Sequence, residues 1–568
     1  MPAFPWEALH NDVAPPFADA QLNAALDFDL LGNANDMTSY PFFLSFDSEN
    51  EASVNGFPAS PWLFHNICAD GVSMQDTSSL ILPASYTRQS RTRKELPPWL
   101  HKVPSTVHPH DPHIVRAFVE EFLVNMSHTF PTFQNLNVHG DTLPDVILAM
   151  AAVGGLFSKI DGSFRVAMSM YTDARRLASG RVWSQPCTSD SQYLDLIRAY
   201  IAIEVFGFYS GDARSMECSE ACHRHLLQVL DDAGVLSSDT SMSPEGATER
   251  LELLASVYTL ESYYVVLLRR APCLYGHSLV DMFEQQPRQR ASDGHFDPFQ
   301  AFSNLFKSTV NPCLPIITSP SPLSTLCCLS ALATLSWHAR PRKPHRSSQG
   351  PLSLWSQEHV ELALHRWFQS TETAVTAADP TPTHSAAALS TAILFHMTYI
   401  SLYIDMDSVH QFVAAKLRSS SAKDAHDKLE RISHRASKTN SRTAMLHATA
   451  LLDAVKQLVV FAPYKTRTSS SSEDTPETRS TAEAPHISIC IYSASVILWV
   501  ASIIVQVQVQ VQPDHPGDKA HLEGGIHLLS RLQSRMARKL CHTLVRLHSS
   551  PNTKKDVGPR NISSNSNV

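Results

Sequence analysis

From Asp111 onward the apolar residues of this chain recur every three or four positions, and that spacing leaves few folds open. In PHIVRAFVEEFLVNM they fall at 114, 115, 118, 119, 122 and 123, which is one face of a helix. The same period runs through DVILAMAAVGGLF, SFRVAMSMYTDARRLA, YLDLIRAYIAIEVFGFY, RSMECSEACHRHLLQVLDDAG and ATERLELLASVYTLESYYVVLLRR. It returns in LWSQEHVELALHRWFQS, AAALSTAILFHMTYISLYIDMDSVHQFVAAKL and NSRTAMLHATALLDAVKQLVV, then in a last helical pair over about 487–548. Gly, Pro, Asp and Ser separate these segments, and no clear strand alternation breaks the series. An all-α fold is expected. At 568 residues the chain exceeds a single compact core, so more than one unit is expected, without internal repeats.

The helical parts are expected at 106–285, 351–465 and 486–548. Between them lie a loop-rich connection at 286–350 and a polar, disordered linker at 466–485, too poor in apolar residues to pack. A polar tail covers 549–568. Residues 1–87 contain no Lys or Arg and eleven acids, interleaved with apolar side chains as in LDFDLLG and YPFFLSFDSENE. Like charges oppose its collapse while hydrophobic groups stay available to a partner, the composition of an acidic activation segment. An acidic disordered leader without a partner fits the same residues. The basic linker 88–105 follows, with Arg88, Arg91, Arg93 and Lys94. Together with Arg340, Arg342, Lys343 and Arg346 in RPRKPHR, these are the candidates for a nuclear import signal. Solvated basic loops are the plainer reading of both.

The net charge of −8 excludes a uniformly basic protein that coats nucleic acid. Ten cysteines scattered along so long a chain form no disulfide framework and suit a reducing compartment. The N-terminal residues MPAFPWEALHND show neither a basic nor a long apolar region, so no secretory signal is expected. Ile487 to Val505 is uncharged and long enough to cross a bilayer. Its four serines and its run into QVQVQVQPDHP favour a buried core helix instead.

Three stretches invite a site. In ECSEACHRHLL, Cys218, Cys222 and His225 share a helix face, but Val229 continues the stripe, with Met216 and Ala221 near it. A core stripe is the expectation there, because no Cys-x2-Cys pair accompanies it. HPHDPH at 108–113 offers His108, His110 and His113, yet Asp111 followed by Pro112 reads as a helix cap. GFYSG at 207–211 lacks the strand and the serine placement of a nucleophile elbow. With no Walker loop, GxGxxG or HExxH, no catalytic, cofactor-binding or metal-ligating residue is assigned, and no enzyme is expected.

The order of the helical blocks resembles the fungal-specific transcription factor regulatory domain, also called the middle homology region. The resemblance begins with Phe122, His128, Phe130, Pro131 and Phe133, and continues through Pro144, Leu148, Ala149 and Gly154, then Ala174 and Arg175. Gly207, Gly211 and Gly234 take their places in the next block, and Glu261 stands where an aspartate is usual. Toward the C-terminus, ILFHMTYISLYIDMDSVHQFV, NSRTAMLHATALL and IYSASVILWV are similar to regulators that carry a two-Cys two-His zinc finger. The resemblance implies a nuclear, non-enzymatic transcription regulator controlling a metabolic gene cluster, of the secondary-metabolite kind. Its partners would be coactivators or the transcription machinery, and the helical body would form homo- or heterodimers. The family's finger is not found in these residues. Zinc is therefore expected only in a finger outside them, and two readings of promoter DNA stay open: direct binding, or a finger-less partner that dimerises with DNA-binding relatives.

Overall fold

Asp111 starts the first helix as its sequence predicts, its carboxylate accepting the His113 amide at 2.8 Å with Pro112 in the first turn. The computed structural model describes residues 110–550 apart from 128, 135, 137–141, 159, 161, 185–189, 234–243, 275–321, 340–356, 378–381, 419–421, 436–437, 461–482 and 510–516. The described residues form fifteen α-helices and one 3-10 turn, with no strand among them, so the fold is all-α. The acidic residues 1–87, the basic linker and RPRKPHR lie outside them.

Helix α1 (Pro112–Met126) buries Phe118, Val119, Phe122 and Met126, and leaves Ile114 at the surface. The 3-10 turn Pro131–Phe133 follows and sets Phe133 edge-on against Phe122, 4.9 Å between ring centres. Helix α2 (Pro144–Gly155) is apolar on every side and packs against α1, α3 (Ser163–Ser184) and α4 (Asp190–Ser210). Its approach to α1 depends on Gly154, where an added Cβ would lie 1.7 Å from the Phe118 carbonyl oxygen. Gly211, at φ +59°, ends α4, and Asp212 caps α5 (Ala213–Asp232) through the Ser215 amide at 2.8 Å. A two-residue connection thus folds α5 straight back along α4. GFYSG is this helix end: Ser210 Oγ donates to the Gly207 carbonyl at 3.2 Å and accepts from the Asp212 amide at 3.1 Å.

Helix α6 (Pro244–Val266) packs on α4 and on α7 (Pro322–Ala339). The interval 286–350, expected to be loop-rich, therefore contains an 18-residue helix. Apolar residues surround α7 with little periodicity, because it is buried between α6, α8 (Gln357–Ala377) and α9 (Pro382–Tyr403). The long apolar run that continues α9 is broken at Ile404–Asp405, where Asp405 caps α10 (Met406–Leu417). Helices α11 (Ala422–Arg435) and α12 (Lys438–Val460) lead to α13 (His486–Val509), α14 (Gly517–Ser530) and α15 (Arg535–Ser549). The C-terminal region thus holds three helices, not a pair.

Among the described residues α13 alone is long and apolar enough to cross a membrane, yet every residue from His486 to Val500 is buried within this bundle. It packs on α9, α12 and α14. The end of the linker 466–485 is also packed. Glu483 is buried, its carboxylate accepting the amides of Gln533 at 2.8 Å and Ser534 at 3.2 Å. Its carbonyl accepts the Tyr209 hydroxyl, so one residue joins the end of α4 to the start of α15.

Gly154→Ala should lower stability by about 3 kcal/mol, because backbone rather than a movable side chain blocks the new methyl. Gly180→Ala, in open space on α3, should instead raise it by roughly 0.5–1 kcal/mol. Urea unfolding of both variants checks the pair, and equal midpoints would contradict the described α1–α2 contact.

Candidate functional site: a histidine between two glutamates

The helical hairpin of α4 and α5 carries the site. Gly207 lets the two helices close, since a Cβ there would lie 2.2 Å from Ser219 Oγ. Ser219 Oγ donates to the Ile203 carbonyl at 3.2 Å and the Ser215 carbonyl at 2.9 Å. This contact fixes the rotation of α5, so that Ser215, Ser219, Cys222, His223 and Leu226 face inward. The stripe expected from Cys218, Cys222 and His225 is turned by part of a residue. Cys218 and His225 are half-buried on its flank, Ala221 is exposed, and the imidazole inside is His223. Burial pushes the Cys222 thiol up to about 12, which leaves it an inert core group.

His223 Nδ1 lies 2.9 Å from Glu204 Oε2 on α4, and Nε2 lies 2.7 Å from Glu261 Oε2 on α6. All three side chains are buried. Both ring nitrogens face carboxylates, which accept when ionised, so the imidazole is held as a cation donating to each. Burial alone would strip its proton, but Glu204 and Glu261 outweigh burial and hold its pKa well above the usual range. Burial lifts the Glu204 carboxyl in turn, against the pull of His223. The Tyr264 hydroxyl also reaches this carboxyl, and a proton retained on it leaves the cluster neutral in sum. The Tyr264 ring packs over the imidazole, 4.5 Å between centres.

Glu261 also holds a loop. After α6 the chain turns at Arg269, a non-glycine residue at φ +59°, and the Arg270 amide donates to the Tyr264 carbonyl at 2.9 Å. The guanidinium of Arg270 grips Glu220 on α5 with contacts of 2.6 and 2.8 Å. Glu261 Oε1 then accepts the Cys273 amide and, at 3.2 Å, the Leu274 amide. Cys273 itself is exposed, so the cluster runs from the core to the surface.

Other buried imidazoles are neutral. His396 and His447 meet through their Nδ1 atoms at 2.9 Å, one donating and one accepting, with Tyr399 stacked on His447 at 4.3 Å. Burial pushes His447 down to about 4 and His396 well below its usual value. His486, lowered to about 4 by burial, donates Nε2 to the Ser390 carbonyl at 2.8 Å and faces the Tyr263 hydroxyl at 3.0 Å through Nδ1. In HPHDPH, His108 lies outside the described residues, His110 meets Asp173 at 2.9 Å and His113 is exposed, so the described part of the stretch caps a helix. Arg340, Arg342, Lys343, Arg346, Arg88, Arg91, Arg93 and Lys94 lie outside the described residues. Sequence reasoning missed Glu204, His223 and Glu261, although an acid inside each of two apolar helices was a signal. Comparison with protein-family models, curated proteins and solved structures finds no match to this chain.

His223→Gln should cost about 3–5 kcal/mol, because it removes the cation shared by two buried carboxylates. The folded-state pKa of His223 lies above the unfolded one, so its contribution is complete below about pH 6.5 and is lost as pH rises through the raised value. The raised Glu204 works in the same direction. Unfolding midpoints measured across neutral and alkaline pH should fall with pH in the wild type, and fall less in the variant.

Proposed function

We propose that this chain is a nuclear, non-enzymatic regulator of transcription. The observation that carries the reading is the order of sequence blocks from Phe122 to the IYSASVILWV segment, which resembles the fungal regulatory domain. The all-α architecture is compatible with it. In this reading residues 1–87 engage a coactivator or the transcription machinery through alternating acidic and apolar side chains. Arg88–Lys94 or the RPRKPHR cluster serves import into the nucleus. Control of a secondary-metabolite gene cluster comes from the family resemblance alone.

A second reading is favoured by one observation. These residues contain no Cys-x2-Cys pair and no recognisable finger that could present side chains to base edges. The chain would then dimerise with finger-bearing relatives and act through them.

Chromatin occupancy and transcript levels, measured with and without residues 1–105, test the main reading. Occupancy should persist and transcription should fall when the segment is removed, provided the shortened chain carries an added import signal. Unchanged transcription would remove the activation role. In a salt-titrated assay with purified protein, promoter binding supports direct contact, and its loss in the absence of a relative supports the second reading.

A further inference from the structure

We propose that the chain binds one zinc-type divalent ion through His223 Nε2, Glu261 Oε2 and Cys273 Sγ. A ring nitrogen of His223, a carboxylate oxygen of Glu261 and the Cys273 sulfur lie within 4.8 Å of one another. A tetrahedral ion with bonds of about 2.0–2.3 Å holds such atoms roughly 3.3–3.7 Å apart, so small side-chain turns complete the set. The His223 Nε2–Glu261 Oε2 contact of 2.7 Å opens to that spacing to admit the ion, and Cys273, exposed and a free thiol, turns in to complete the set.

The surroundings are those a ligating histidine needs. Glu204 takes the opposite ring nitrogen at 2.9 Å, which fixes the ring's orientation and raises the basicity of Nε2. Glu261 Oε1 keeps its two loop amides while Oε2 turns to the ion. Arg270, clamped to Glu220, holds the loop that carries Cys273. A nitrogen, oxygen and thiolate set selects zinc-like ions over magnesium or calcium.

The donor set matches the ion in charge: a Glu261 carboxylate and a Cys273 thiolate offset its two positive charges, and His223 ligates as a neutral ring. A tetrahedral ion held by three protein ligands takes water or another donor as its fourth. The sequence reading assigned no metal ligand because these residues belong to α5, α6 and the loop beyond, with spacings no linear motif records. The site stands on this geometry whether or not the regulatory reading holds.

Cobalt(II) titration of the purified full-length protein, with its thiols reduced, tests the proposal. One equivalent should bind, with tetrahedral d–d bands and a thiolate-to-cobalt charge-transfer band. Zinc should displace both. Cys273→Ser should abolish the charge-transfer band while leaving the far-ultraviolet dichroism unchanged, and Cys541→Ser should keep it. Glu204→Gln should weaken cobalt binding by about 10- to 100-fold, as loss of a carboxylate behind a ligating histidine does. Absence of a thiolate band in the wild type, or its survival in Cys273→Ser, would overturn the proposal.

Discussion

The His223 imidazole, bridged at 2.9 Å to Glu204 and at 2.7 Å to Glu261, is the contact on which the first half of the structure depends. Three helices each contribute one ionisable group to a buried cluster, so none of the three can rotate without stranding a charge. The choice of partners keeps the desolvation cost within bounds. One cation sits between two acids, and the burial that lifts Glu204 favours keeping a proton on the cluster. From that fixed point Glu261 reaches the amides of Cys273 and Leu274, and the chain leaving α6 is tied down before it enters the rest of the fold.

The second half solves the same problem differently. Its buried imidazoles have no carboxylate beside both nitrogens, and burial drives them neutral. His396 and His447 share one hydrogen bond, and His486 is oriented by the Ser390 carbonyl. A neutral ring such as His486, with both nitrogens partnered, costs far less to bury than an ion. The two halves are then joined by Glu483. Its carbonyl takes the Tyr209 hydroxyl at the end of α4, while its carboxylate caps the backbone before α15. The chain therefore closes on itself through a residue at the edge of what reads as a polar linker.

Much of the fold was legible. The cap Asp111 placed α1 at its observed start, while Asp212 and Ser534, which cap α5 and α15 through amides three residues away, went unread although they act just as locally. These are local interactions, and sequence order alone specifies them. Helix α7 escaped because periodicity detects a helix only when one side meets water. The break between α9 and α10 was hidden because both flanks are apolar, and only the Asp405 cap marks it. On α5 the reading found the right helix and the wrong imidazole.

That last difference separates what the two levels decide. The residues themselves determined that the described part of this chain is helical, where its first helix begins, and that its cysteines make no linear metal motif. Which face of α5 turns inward was settled only when Gly207 met Ser219 and the two-residue turn at Gly211–Asp212 set the hairpin's rotation. Side chains four residues apart on one helix share a face by local geometry. Groups 19 and 38 residues apart meet only if the helices carrying them pack at one particular register, and that register is a property of the whole core.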